Sequence, residues 1–535
     1  MTPPEPVARQ GAHRPQPPSK PAAAKAPAER ITQAELESYL WGAAVLLRGL
    51  IDAGDYKGYI FPLVFLKRIS DVWDEEHAAA LAIYGDDELA DLPENHRFAI
   101  PLGAHWDDIR ATTTNIGATI VAAMRAISAA NPDHLTGVFG EGDWTNKNLL
   151  SDAVLADLVE HFSSRTLTVA ALPEDELGNG YEYLIKKFAD DSGHTAQEFY
   201  TNRTLVHLMA MMLQPEPGES IYDPTCGTGG MLISAAAEVR AQGKEHRSLG
   251  LYGQERNFTT AAIAQMNLFL HGIADGRIHH GDTLADPGFV DADGRLRRFD
   301  LVLANPPYSI KAWNREGFAD DPYGRNLWGV PPQGRADYAF FQHIAASLDP
   351  NTGRAAILFP HGVLFRQEEA TLRENLVRSG MLEAVIGLGA GLFYNSPMEA
   401  VVVVLRANRP AEQRGKVLFI NAVNLVARER AQSFLRASDQ QAILEAYREF
   451  TDKPGLSAAV DEPVIAGNGY SLNIALYVRP GDGEVKPAEV GVEEAVALWR
   501  AAAAAADEAV GDVLAALRSK VASDVRGELR QEVDG

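Results

Sequence analysis

The chain has 535 residues, 46% of them hydrophobic and 23% charged, enough apolar material for two or three packed domains. Its net charge of −23 argues against the chain alone coating nucleic acid, because phosphate binding calls for a basic surface. A single cysteine, Cys226, excludes an internal disulfide and a cysteine-clustered zinc site, and no apolar run reaches the roughly eighteen residues of a membrane span, so a cytoplasmic location without membrane contact is expected.

Residues 1–31, with eight prolines among the first thirty, have no hydrophobic periodicity and read as a disordered tail without a signal core. From 32 to 172 apolar residues recur at spacings of three and four, starting with "ELESYLWGAAVLLRGLIDAGDYKGYIFPLVFLKRISDVWDE", which predicts an N-terminal helical domain. The texture changes over 173–480. Short β-branched runs ("SIYDP", "LGLYGQE", "RIHHGD", "FDLVLANPP", "RAAILFP", "LEAVIGL", "EAVVVVL", "KVLFINA") alternate with helical stretches and predict an α/β domain with a doubly wound, mostly parallel sheet. Residues 481–535 read as an alanine-rich helical tail, in which Val496, Trp499, Ala503, Ala506, Val510, Val513 and Leu517 would make a stripe suited to pairing with another helix.

The first strand of the α/β region runs into "DPTCGTGGML", residues 223–232. Its glycines, Gly227, Gly229 and Gly230, do not follow the G-x-G-x-x-G spacing of dinucleotide folds, and no Lys-Ser/Thr pair follows, so the phosphate loop of nucleotide hydrolases is also excluded. A plain tight turn would account for the glycines alone. Asp223 ahead of them suits a ligand with an ammonium or cationic centre. The next two strands end in Glu255 and Asp282, so three consecutive strand ends outline a nucleoside pocket at the carboxyl edge of the sheet, although each carboxylate alone could be a helix cap.

The fourth strand ends in Asn305, Pro306, Pro307 and Tyr308. The exocyclic amine of a nucleobase is a poor nucleophile because its lone pair is delocalised into the ring. If the Asn305 side-chain oxygen and the Pro306 carbonyl accept its two protons, the nitrogen moves toward tetrahedral geometry and the lone pair is freed; a Tyr308 ring would hold an extruded base by stacking.

With these motifs in place the sequence resembles the S-adenosylmethionine-dependent amino-group DNA methyltransferases, and within them the modification (M) subunits of type I restriction-modification systems. "DPTCGTGG" is similar to the family's cofactor loop and "NPPY" to its catalytic tetrapeptide. The resemblance extends to residues 40–71, 181–189 ("YEYLIKKFA") and 470–478 ("YSLNIALYV"). It implies the methyltransferase fold and S-adenosyl-L-methionine as cofactor. It also brings in "QEFYTNR", so that Glu198, Phe199, Tyr200, Thr201, Asn202 and Arg203 become cofactor contacts beside Asp223, Gly227, Thr228, Gly229, Gly230, Glu255 and Asp282. Two departures stand out: Asn202 replaces the family's usual proline, and "FYNSPMEA" (393–400) replaces a Gly-containing turn.

Adenine is the expected base, with the cytosine amine an alternative because the activation chemistry is shared; a methylase subunit of another phage-defence system is a further one. Methylation at a cytosine carbon would need a thiolate nucleophile, and Cys226 lies instead in the cofactor loop. His279 and His280 lack a second ligand cluster, so no metal is expected. A catalytically inert binding module and a nicotinamide-dependent oxidoreductase are disfavoured by the intact tetrapeptide and by the glycine spacing. Pro132-Asp133 is not followed by Glu-x-Lys, so the chain should methylate and not cut. The resemblance implies double-stranded DNA with a flipped base as substrate, a DNA-specificity (S) subunit flanked by two modification subunits, and a restriction (R) subunit as a further partner.

Overall fold

The computed structural model describes residues 30–191, 202–392, 399–428 and 433–479. Helices dominate up to residue 191. Thr32 and Glu35 form a capping box that starts the helix Gln33–Leu47. Within the apolar stretch quoted above, the first helix ends at Arg48, whose backbone is extended, and the next is the helix Lys57–Tyr84. Periodicity alone does not show the break, because Leu47 and Ile51 are both buried on its two sides.

The Lys57–Tyr84 helix is buried on every face from Tyr59 to Val72, including Lys67, Arg68 and Asp71. Such charges stay buried only when paired. Lys67 is paired with Asp71; Asp71 accepts the Leu167 N–H at 2.7 Å, and Arg68 donates to the carbonyls of Leu167 and Leu172 at 2.5 and 2.9 Å. Glu75 accepts the N–H groups of Val169 and Ala170 at 2.7 and 3.0 Å. The strand-free segment 167–172, which leads toward the sheet, is therefore tied to one helix. The helical core continues into Ile263, Met266, Phe269 and Leu270 of the helix Phe258–Leu270, which belongs to the sheet's own layer.

Each of the eight runs read as strands forms one: β1 (Ser220–Asp223), β2 (Gly250–Glu255), β3 (Arg277–His280), β4 (Leu301–Ala304), β5 (Arg354–Pro360), β6 (Leu382–Leu388), β7 (Ala400–Arg406) and β8 (Lys416–Ala422). A two-stranded ribbon, β9 (Ala427–Arg428) with β10 (Ser433–Phe434), and a further strand, β11 (Ser457–Asp461), were not foreseen. The main sheet has the order β11-β8-β6-β7-β5-β4-β1-β2-β3. It is parallel from β3 to β5; β7 runs antiparallel between β5 and β6, and β11 runs antiparallel on β8. Every residue of β5 and β6 is buried, as expected for a sheet covered on both faces. The winding reverses at β1, which pairs with β2 on one side and β4 on the other; a crevice opens at such a point, at the carboxyl ends of the strands. Among the described residues no helix is long and apolar enough to cross a membrane.

Candidate active site

Two of the sequence motifs meet at the reversal. β1 delivers Asp223 and the glycine loop; β4, in register with it through Ile221–Leu301 and Tyr222–Val302, delivers Asn305 one residue past its end. The loop turns at Gly227 and Gly229, whose φ values of 53° and 82° lie in the left-handed region open to glycine. It is lashed down by Cys226 N–H to the Gln254 carbonyl (2.9 Å), Gly229 N–H to the Cys226 carbonyl (2.8 Å) and Asn267 Nδ2 to the Thr228 carbonyl (2.9 Å). Gly230 opens the helix Gly230–Ala241. A methyl group on Gly227 or Gly230 would meet nothing within 4 Å, whereas one on Gly229 would rest on Ala264 at 3.6 Å. The loop thus borders open space at a helix start, beside two carboxylates.

Asp223 is 2% exposed, with Oδ1 accepting the Thr225 N–H at 3.0 Å. Burial, reinforced by the Glu255 charge and opposed by the Thr225 bond, pushes its carboxyl up to about 8. An acid whose folded value is raised loses stability as pH rises from its unfolded value near about 4 toward 8, and the loss is complete above 8. Asp223→Asn is therefore expected to raise the melting temperature of the cofactor-free protein, most clearly at pH 9, while weakening cofactor binding. Calorimetry on both proteins checks this; equal melting at pH 9 would contradict it. Burial, with the Asp223 and Glu255 charges, also pushes the Cys226 thiol up, the opposite of an activated nucleophile.

Glu255 is tied to the loop itself: Oε2 accepts the Gly227 N–H at 3.1 Å and Oε1 the Asn257 N–H at 2.8 Å. Asp282 caps its own turn, accepting from Leu284 and Ala285 N–H at 3.0 and 3.2 Å, with Arg256 at 3.6 Å. His280 Nε2 is 3.1 Å from the Arg256 carbonyl, and among the described residues no group of three His, Cys, Asp or Glu side chains is placed to hold a metal ion.

At the end of β4, Pro306 is buried, and Asn305, Pro307 and Tyr308 are half-buried. The Tyr308 hydroxyl donates to Asn305 Oδ1 at 2.6 Å, so the oxygen expected to receive a base amine is occupied by the neighbouring tyrosine. Glu198, Phe199, Tyr200 and Thr201 lie outside the described residues, as does 393–398 of the other departure. Asn202 is buried and spent inside the protein: Oδ1 caps Thr204 N–H at 3.0 Å and Nδ2 donates to the Ser433 carbonyl at 2.8 Å. Arg203 pairs with Glu182. Asn267, fully buried, supports the loop with its side chain without having been singled out; the signal available was an amide inside the apolar run "AAIAQMNLFL".

Known proteins show which family the chain is similar to. Residues 173–485 match the family model for N-6 DNA methylases, and 36–162 match the HsdM N-terminal domain. The type I restriction enzyme MjaVIII methylase subunit of Methanocaldococcus jannaschii is 30% identical over 486 residues, covering 84% of this chain and 79% of that protein. The HindI methylase subunit of Haemophilus influenzae is 30% identical over 379 residues, 68% and 82% of the two chains. The crystal structure of a type I restriction-modification methyltransferase subunit from Streptococcus thermophilus superposes with a TM-score of 0.74 at 30% identity, covering 84% of this chain and all of that one. The N-6 match favours adenine and does not favour the cytosine amine left open by the sequence. The chain belongs to the N-6 DNA methylases, in the family of type I restriction enzyme methylase subunits.

Proposed function

We propose that Asn305 and Pro306 activate the N6 amine of adenine, held in DNA, for methylation by S-adenosylmethionine, with the glycine loop of β1 as the cofactor cradle. One observation carries this reading: the reversal of the sheet sets the two motifs on adjacent strands, about 5 Å apart at the usual strand spacing. The residues suit the cofactor. Gly227 and Gly230 leave room, Asp223 is a buried carboxylate for its ammonium end, and Glu255, at the end of β2 beside the glycine loop, is the carboxylate for its ribose; Asp282 and the segment 198–203 complete the proposed set. When bound, the cofactor supplies an electrophilic methyl on a sulfonium.

The chain's own residues prepare the nucleophile. Asn305 Oδ1 and the Pro306 carbonyl accept the amine protons and so keep the nitrogen lone pair out of the purine ring; Pro307 fixes the backbone that aims them. Because Tyr308 donates to Asn305 Oδ1, entry of the base exchanges one hydrogen bond for another and frees the tyrosine ring to stack.

An acidic chain needs help to hold DNA. We assign sequence reading to a DNA-specificity subunit flanked by two copies of this chain, with cleavage left to a separate restriction subunit; the stripe from Val496 to Leu517, outside the described residues, is the proposed contact. Co-expression should give a complex of two modification subunits to one specificity subunit by native mass spectrometry, and truncation at Pro487 should abolish it. Site-specific methylation by this chain alone at physiological salt would overturn the partner assignment.

A further inference from the structure

The backbone leaving the Asn305–Tyr308 motif is one that an L-residue enters only at a cost. Ser309 has φ 55°, in the left-handed region. Its N–H donates to Asp337 Oδ1 at 2.7 Å, and the Ala336 N–H donates to the Ile310 carbonyl at 3.1 Å. Two bonds therefore tie the motif's exit to the start of the helix Asp337–Ala346.

Behind Asp337 stands a buried ionic network. Asp337 is 1% exposed, and its second oxygen accepts from Arg366 Nη1 at 2.7 Å. Arg366, from the segment after β5, lies 3.6 Å from Glu369, whose fully buried carboxylate receives no hydrogen bond among the described residues. Burial pushes the Glu369 carboxyl up to about 7. Arg373 donates to the Arg366 carbonyl at 2.6 Å. Gly362 leaves the guanidinium its path, since a Cβ there would stand 2.5 Å from Arg366 Nε. Buried ion networks are poor sources of stability, because apolar residues of the same volume serve as well or better. A network set against the backbone of a catalytic motif has a different use.

We propose that Asp337, braced by Arg366 and Glu369, is a positioning residue for methyl transfer: it holds the left-handed turn at Ser309 and thereby aims Asn305 Oδ1 and the Pro306 carbonyl. The proposal rests on the reading of Asn305 given above. Asp337 acts through the backbone and touches neither base nor cofactor.

The test uses the complex with the specificity subunit, with tritiated methyl incorporation into unmodified genomic DNA, cofactor affinity and thermal melting read in parallel. Asp337→Ala is expected to lower kcat on the order of tenfold to a hundredfold, the scale of an ångström-sized misplacement, at unchanged affinity for S-adenosylmethionine. Asp337→Asn, which keeps an oxygen facing the Ser309 N–H, should recover most of the rate. Should the alanine variant not fold, Arg366→Gln takes its place, with a smaller drop in kcat and the same unchanged affinity. Parental kcat in Asp337→Ala or, in its place, Arg366→Gln overturns the proposal, and so does an equal loss in the alanine and asparagine variants or a loss matched by the unfolded fraction. Asn305→Ala in the same assay separates the two ideas: if it is inactive while Asp337→Ala is normal, only the positioning role falls, and if it is active, the motif's assignment falls first.

Discussion

Asn305→Ala is expected to abolish methyl transfer while leaving cofactor affinity nearly unchanged. Asn305 follows β4, across the sheet's reversal from the glycine loop of β1, and its Oδ1 accepts from the Tyr308 hydroxyl at 2.6 Å. Removing it takes away the acceptor that keeps the amine lone pair available at the moment of reaction. Directed hydrogen bonds of this kind are worth about a hundredfold to a thousandfold in rate. Single-turnover methylation and isothermal calorimetry on the same preparation check both halves. Retained activity would remove Asn305 from the mechanism; lost cofactor binding with lost activity would make it a structural residue.

The second large effect is on the cofactor cradle. Gly229 has φ 82°, a conformation that a β-branched residue does not tolerate, so Gly229→Val must rebuild the turn that opens the helix Gly230–Ala241. Glu255→Ala acts from the other side, releasing the Gly227 and Asn257 N–H groups that its two oxygens accept. Hydrogen bonds to charged groups contribute roughly 1.5–3 kcal/mol, so Glu255→Ala should weaken S-adenosylmethionine binding by about tenfold or more, and Gly229→Val should weaken it as well by reshaping the loop. Melting curves distinguish a misshapen loop from an unfolded chain. Parental affinity in both variants would move the cofactor away from this loop.

What the sequence made legible follows from how local the signal is. The strands β4 to β7 stand out because sheets covered on both faces demand unbroken apolar runs, and "VVVVL" or "AAILF" has few other uses. β11 escaped because "SAAVD" is short and alanine-rich, and it gains strand character only by pairing with β8. The glycine loop and the tetrapeptide are each a contiguous stretch, so the chemistry proposed for them could be read from residue types. Asp337, Arg366 and Glu369 could not, since each is an ordinary charged residue until the fold buries it beside Ser309. Asn202 shows the converse: it sits inside a segment matched to cofactor contacts, yet its amide caps a helix and reaches the Ser433 carbonyl.

The bracket of Lys67, Arg68, Asp71 and Glu75 around residues 167–172 has a mechanical meaning. The segment lies between the stretches that match the two family models, where a swinging joint would be the ordinary expectation. Bending it would strip Arg68 of two carbonyls and Asp71 of an amide, hydrogen bonds to charged groups that contribute roughly 1.5–3 kcal/mol each. The joint therefore behaves as a strut, an extension of the helical layer that resists bending instead of absorbing it.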